Sequence, residues 1–310
     1  MKIVFLDRKT LGDDITLEKF NDFGTVISYN STKTEQTQER VKDADIVITN
    51  KVVIDKKIID NSNIKLICVA ATGMNNIDLE YVKLKNIVVE NVAGYSTASV
   101  AQLTFSFMLQ FINKISYYDN YVKSGGWENS DIFTHLDKPF YDLVDKKLGI
   151  IGFGTIGQKV ANIGLSFGCH VSYYSTSGKN NSATYNQVEL ETLLKESDII
   201  SIHAPLNEKT MNLLNKSNLS LIKDKAILLN LGRGDIVNEQ DILDELDKRE
   251  IFFATDVVSK EPIEKQSPLL KIKNKDRILF TPHIGWASKE ARIRLVDGII
   301  NNIKDFINGQ

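Results

Sequence analysis

Three polar residues stand where apolar runs end: Arg233 behind A-I-L-L-N-L-G, Glu261 behind A-T-D-V-V-S-K, and His283 behind R-I-L-F-T-P. Their types define a chemistry. A guanidinium is a rigid fork that matches a carboxylate and polarises the carbonyl beside it. An imidazole, with an ordinary pKa near ~6.5, can give a proton to that carbonyl oxygen as hydride reaches the carbon, and take it back in reverse. A neighbouring carboxylate favours the protonated ring. The set is what hydride exchange with a 2-oxo or 2-hydroxy acid requires. Singly, each residue has a plainer reading: a loop charge between two glycines, a turn residue before Pro262, a core histidine bonded to backbone. Together, at three strand ends of one sheet, they favour the chemical reading.

Hydride needs a carrier, and the stretch K-L-G-I-I-G-F-G-T-I-G-Q-K-V-A supplies a place for one. Leu148, Ile150 and Ile151 read as a short buried strand running into Gly152, Gly154 and Gly157, after which Ile156, Val160 and Ala161 follow a helical pattern. In G-x-G-x-x-G the first glycine permits a tight turn, the second lets backbone approach a pyrophosphate, and the third lets helix pack closely on strand. The helix start then directs free N–H groups at the phosphates. With another apolar strand expected at 171–174, the context predicts a dinucleotide site. The remaining histidines offer less: His203 is expected to orient a loop, and His135 and His170 carry no chemical expectation. No Cys or His pair has zinc spacing, so no metal is expected.

Elements must position these groups. A chain of 310 residues suits two domains of about 150 each. Its net charge of −2 gives no reason to expect nucleic acid or an anionic membrane as partner, which leaves a small molecule. Cys68 and Cys169 read as small buried residues in a reducing, cytoplasmic setting. The opening M-K-I-V-F-L-D is too short for a signal-peptide core, and no apolar run approaches the ~18 residues of a membrane span. Apolar strands at 3–6, 26–29, 46–49, 66–70 and 87–89 alternate with helix-length polar segments, predicting parallel β-α-β units. One long helix is expected from 97 to about 123, capped by Ser96 and apolar nearly all round. Such a helix would be ~40 Å long, so part of it is expected to meet a second subunit. Strands resume from Leu148, and two helices are expected late in the chain, one at 239–248 behind an Asn238 cap and a last one capped by Ser288.

The ordered motifs G-F-G-T-I-G, N-L-G-R-G-D-I-V-N-E, D-V-V-S-K-E-P and T-P-H-I-G-W-A-S resemble those of the D-isomer-specific 2-hydroxyacid dehydrogenases. The likeness reaches upstream through A-A-T-G-M-N-N-I-D-L and N-V-A-G-Y-S-T-A-S-V-A-Q, so it covers essentially the whole chain. It implies an α/β fold of two Rossmann-like or flavodoxin-like domains with parallel sheets. Residues 1–95 with 286–310 would form a substrate domain, and 96–285 a dinucleotide-binding domain with a dimerisation helix at 96–123. It further implies that Arg233 binds substrate carboxylate and carbonyl, that His283 is the acid/base, and that Glu261 is its partner. Thr72 and Gly73 would lie at the substrate and nicotinamide end, Thr155 and Ile156 on the pyrophosphate, and Ala204 and Pro205 along the cofactor. Leu231, Gly232 and Gly285 would complete the cofactor site, with Asp256 near the nicotinamide amide.

One departure matters. Where the family commonly carries an aspartate for the adenosine ribose, this chain has Ser175 and Thr176 in Y-Y-S-T-S-G-K. Without that carboxylate nothing repels a 2′-phosphate, and Ser175, Thr176, Ser177 and Lys179 could receive one; NAD(H) and NADP(H) both stay open. Trp286 in H-I-G-W-A-S is similar to the glycerate dehydrogenase and hydroxypyruvate reductase branch, which implies hydroxypyruvate or glyoxylate as substrate. The same fold also serves dinucleotide-sensing corepressors, which can keep all three polar groups. A formate dehydrogenase-like reaction would be expected to place glutamine where Glu261 stands.

Overall fold

The computed structural model describes residues 1–309 and divides into two compact units, Met1–Ser96 with Trp286–Gln310, and Thr97–Gly285. In the first unit, β1 (Lys2–Phe5), β2 (Thr25–Ser28), β3 (Ile46–Thr49), β4 (Leu66–Val69) and β5 (Val88–Asn91) pair in parallel in the order β2-β1-β3-β4-β5. Alternation along a strand sends successive side chains to opposite faces. Ile3 and Phe5 therefore enter one core, and Val4 and Leu6 the other. Helices α1 (Thr34–Val41), α2 (Lys56–Asp60) and α3 (Leu79–Leu84) bring Val41, Ile58, Ile59 and Val82 to the second of these cores. The C-terminal helix Lys289–Asn308 lays Leu295, Ile299 and Ile303 on the first. Their spacing of four makes one stripe, and each such burial is worth ~1.5–3 kcal/mol. Ser288 caps this helix, its Oγ accepting from the Ala291 N–H at 3.2 Å.

The second unit holds β6 (Lys147–Ile151), β7 (His170–Tyr174), β8 (Asn186–Gln187), β9 (Ile199–Ile202), β10 (Ile227–Asn230), β11 (Phe252–Thr255) and β12 (Ile278–Phe280). All are parallel, in the order β12-β11-β10-β9-β6-β7-β8. The order reverses at β6, where α/β sheets open a crevice beyond their carboxyl ends. Around the sheet pack α4 (Thr97–Asn113), α5 (Ile115–Lys123), α6 (Thr155–Ser166), α7 (Leu190–Glu196) and α8 (Glu239–Lys248). Asn238 caps α8 as its sequence predicts, accepting from the Asp241 N–H at 3.1 Å. The central strands β3, β4, β9 and β10 are buried along their whole length, which is why they read as nearly continuous apolar runs.

The single helix expected from 97 to about 123 is two helices. Lys114 between them takes a left-handed backbone, φ 52°, which ends the ladder without any Pro or Gly to announce it. The 17 residues of α4 span only ~25 Å. Val100, Phe105, Phe107, Met108, Phe111 and Ile112 are buried in a core shared with Val160 and Ala161 of α6. The length of this segment therefore gives no reason to invoke a second subunit. α5 buries no residue; its Tyr121 ring stacks on His135 at 3.7 Å, and its Tyr117 hydroxyl meets His135 Nε2 at 2.7 Å. Among the described residues, no helix is long and apolar enough to cross a membrane.

Candidate active site

The glycine turn closes between β6 and α6. Gly152 has φ +91°, and a Cβ there would lie 2.6 Å from the Ala204 backbone nitrogen, at the switch point where β6 and β9 part. A Cβ on Gly157 would overlap the Gly152 carbonyl oxygen and hold α6 off the strand, whereas one on Gly154 would meet nothing within 4 Å. That open space lies at the start of a 12-residue helix whose N-cap, Gly154, supplies no side-chain hydrogen bond. Unpaid N–H groups, a positive dipole end and room for close approach fit a pyrophosphate. Gly157→Ala is thus expected to weaken nicotinamide dinucleotide binding at least tenfold, read by fluorescence titration, because backbone rather than a flexible side chain must move.

At the end of β7, Ser175 is 8% exposed and its Oγ is enclosed without a hydrogen-bond partner. Thr176 is half-buried, and the turn closes through the Gly178 N–H to the Ser175 carbonyl at 3.3 Å. An orphaned hydroxyl where a ribose is expected is a polar atom waiting for a ligand oxygen.

An imidazole–carboxylate pair forms at the other side of the sheet. β11 leads to Glu261 and the adjacent β12 leads to His283, and the two meet with Nδ1 2.7 Å from Oε2. An ionised Glu261 accepts from Nδ1–H, which leaves Nε2 as the nitrogen able to exchange a proton with substrate. Both side chains keep partial access, 24% for His283 and 33% for Glu261. His283 holds a left-handed backbone, φ 53°, uncommon for a side chain with a Cβ and a source of local strain.

Asp256 at the end of β11 holds that strain. Its Oδ1 accepts from the Thr281 hydroxyl at 2.6 Å and the Ile284 N–H at 2.8 Å. Its Oδ2 accepts from the Gly285 N–H at 2.7 Å, and its carbonyl oxygen from the His283 N–H at 2.9 Å. Burial raises this carboxyl above the ordinary carboxylate range, against the pull of those donors and of His283. The family likeness pointed to Asp256 for the nicotinamide amide; the bonds found here are to the loop that carries the imidazole.

Arg233 follows β10, the neighbour of β11. It is exposed, with Nη1 donating to the Gly232 carbonyl at 2.8 Å, while Asn230 Nδ2 donates to the Arg233 carbonyl at 2.9 Å. The flanking glycine is forced by packing, since a Cβ on Gly234 would overlap the Val258 backbone just before Glu261. Strand adjacency thus puts Arg233, Glu261 and His283 on neighbouring strand ends.

Ala204 and Leu231 are buried and Pro205 exposed at the carboxyl ends of β9 and β10, where the Gly232 N–H donates to Asn230 Oδ1 at 3.1 Å. Thr155 is exposed and Ile156 half-buried in the first turn of α6. Thr72 and Gly73 belong to the first unit, beyond β4, where Asn91 Nδ2 donates to the Thr72 carbonyl at 2.5 Å. His203 orients its own strand, with Nε2 2.8 Å from Ser201 Oγ. Burial lowers its pKa to about 3, so it stays neutral at working pH. His170 faces Asp145 at 3.4 Å on the surface.

A parallel sheet with a glycine turn at its switch point and an imidazole–carboxylate pair at its strand ends defines a nicotinamide-dinucleotide oxidoreductase. The family model described as the D-isomer specific 2-hydroxyacid dehydrogenase NAD binding domain matches residues 105–285. A hydroxypyruvate reductase of Blautia hydrogenotrophica is 38% identical, with 100% of this chain and 98% of that protein covered. A glycerate dehydrogenase of Methylorubrum extorquens is 35% identical over 100% and 97%. Among solved structures, an acyclic imino acid reductase in complex with NADPH and D-Arg superposes with a TM-score of 0.87 at 29% identity, over 100% of this chain and 98% of that one. The chain belongs to the D-isomer-specific 2-hydroxyacid dehydrogenase family.

Proposed function

We propose that the protein interconverts a small 2-oxo acid and its D-2-hydroxy acid, with hydroxypyruvate or glyoxylate as the oxo acid and D-glycerate or glycolate as the product. The 2.7 Å bond between His283 and Glu261 carries this reading. The nicotinamide, when bound, supplies the hydride. Arg233 grips the substrate carboxylate and polarises the carbonyl, and His283 delivers a proton to the carbonyl oxygen from Nε2. Glu261 fixes the ring and stabilises its charged form. Gly152, Gly154, Thr155, Ile156 and Gly157 would hold the pyrophosphate, Ser175 and Thr176 the adenosine ribose, and Ala204, Pro205, Leu231, Gly232, Asp256 and Gly285 the remainder; Thr72 and Gly73 would serve the substrate. The relatives named for hydroxypyruvate and glycerate chemistry support the substrate.

The cofactor site admits NADPH as well as NADH in this proposal. Three features support it: no carboxylate in 175–179, the orphaned Ser175 hydroxyl, and an exposed Lys179. The test is a panel of 2-oxo acids with each reduced cofactor, followed at 340 nm. Turnover of hydroxypyruvate or glyoxylate with comparable kcat/KM for the two cofactors is expected. A preference for NADH beyond about a hundredfold would end the phosphate-pocket idea.

A homodimer completes the proposal. Behind α5, Ile132, Phe133, Leu136 and Phe140 are 61%, 88%, 67% and 54% exposed, an apolar row that a second copy would cover. Light scattering is expected to give twice the chain mass; a monomer at micromolar concentration would refute it.

A further inference from the structure

The bond between Glu261 and His283 requires the carboxylate to stay in place, yet Glu261 stands on an open loop. From Ser259 to Gln266 every residue is exposed except the half-buried Glu264. The ion pair of Lys260 with Glu264 lies within this loop and so anchors it to no other element. Ordering such a stretch costs conformational entropy that contacts outside it must offset.

Glu239, the half-buried first residue of α8, makes such contacts. Its Oε1 accepts from the Ser259 N–H at 2.7 Å and its Oε2 from the Ser267 hydroxyl at 3.3 Å. Those two serines bound the exposed stretch, so one carboxylate clamps both of its ends. A carboxylate placed merely to suit a helix start would accept from the N–H groups of its own first turn; Asn238 already serves the Asp241 N–H there, and Glu239 reaches across to the loop instead. Both anchor points are firm. Ser267 is buried, and the turn Pro268–Lys271 behind it sinks Leu269 into the core that holds Ile242, Leu243 and Leu246 of α8. At the other end, a Cβ on Gly234 would overlap the Val258 backbone and the Ser259 nitrogen, so the turn that runs from Arg233 to Glu239 lies directly against the base of the loop.

We propose that Glu239 is a positioning residue for the reaction: by closing the 259–267 loop it keeps the Glu261 carboxylate on His283 Nδ1. This rests on the dehydrogenase reading above, in which Glu261 fixes the imidazole and stabilises its charged form. The effect belongs to proton transfer, and therefore to kcat more than to substrate or cofactor affinity.

The test measures kcat and KM for the 2-oxo acid turned over fastest, the cofactor Kd and the thermal melt in Glu239→Ala, Glu239→Gln and Ser267→Ala, each alone and on a Glu261→Ala background. Glu239→Ala should lower kcat about tenfold with KM and cofactor Kd close to wild type, since a misplacement of ~1 Å can cost up to about 10²-fold. Glu239→Gln should restore most of that loss, because its amide oxygen can accept from Ser259 and its Nε2 can donate to the Ser267 hydroxyl. Ser267→Ala removes one bond and leaves α8 alone; its kcat should lie between, and it decides the matter if Glu239→Ala melts well below wild type. On the Glu261→Ala background none of the three should lower kcat further, because no carboxylate is left to place. Losses that persist on that background, an unchanged kcat in both alanine variants, or a Glu239→Gln as slow as Glu239→Ala would overturn the clamp while leaving the dehydrogenase reading intact. A wild type inactive on every 2-oxo acid would overturn both.

Discussion

Replacing His283 with glutamine is expected to lower kcat by about 10²–10⁴, the usual yield of a positioned acid/base, while nicotinamide dinucleotide binds as before. The separation follows from placement. The glycine turn belongs to β6 and α6, and the imidazole to the end of β12, bound on one side to Glu261 and held beneath by Asp256. Glutamine can keep a hydrogen bond to Glu261 but cannot carry a transferable proton at neutral pH. Because position 283 is left-handed, His283→Asn is the companion variant: asparagine tolerates that backbone, so its loss of turnover reports the missing proton rather than a strained loop. Stopped-flow or steady-state absorbance at 340 nm gives kcat, and quenching of protein fluorescence gives the cofactor Kd. Near-normal turnover in both variants would sink the assignment. His203 could not then take over, since burial keeps it neutral and its Nε2 is tied to Ser201.

What could be read from the chain beforehand divides along the range of the interactions. The strand, glycine turn and helix at 147–161 were legible because every reason for them is local: apolar period, close-approach glycines, a helix start. The caps at Asn238 and Ser288 were legible for the same cause. The break at Lys114 was not, because the sequence there carries no Pro or Gly, and an apolar run looks alike as one helix or two. β8, only two residues long, has no periodicity to detect. At the site, the types of Arg233, Glu261 and His283 and their places after strands could be seen, but the left-handed turn at His283 could not. It is imposed by Asp256, 27 positions earlier on another strand, through bonds that no local pattern encodes.

Arg233→Ala is expected to raise KM for the oxo acid and lower kcat together, with kcat/KM falling by about 10²–10⁴. A forked pair of charge-assisted hydrogen bonds is worth ~1.5–3 kcal/mol per bond, and every ~1.4 kcal/mol is a factor of ten. Part of that grip acts on the carboxylate, which is the same in ground and transition states and shows in KM. The rest acts on the carbonyl oxygen, whose charge grows as hydride arrives, and shows in kcat. Lysine should recover little at this position, because an ammonium supplies charge without the planar fork. The melting temperature should hardly move: Arg233 is exposed, and the loop beneath it is fixed by Asn230 and by the contact of Gly234 with Val258 rather than by the guanidinium. A variant that lost affinity for the oxo acid but kept wild-type kcat would place Arg233 on the carboxylate alone, and the group polarising the carbonyl would then have to be His283 itself.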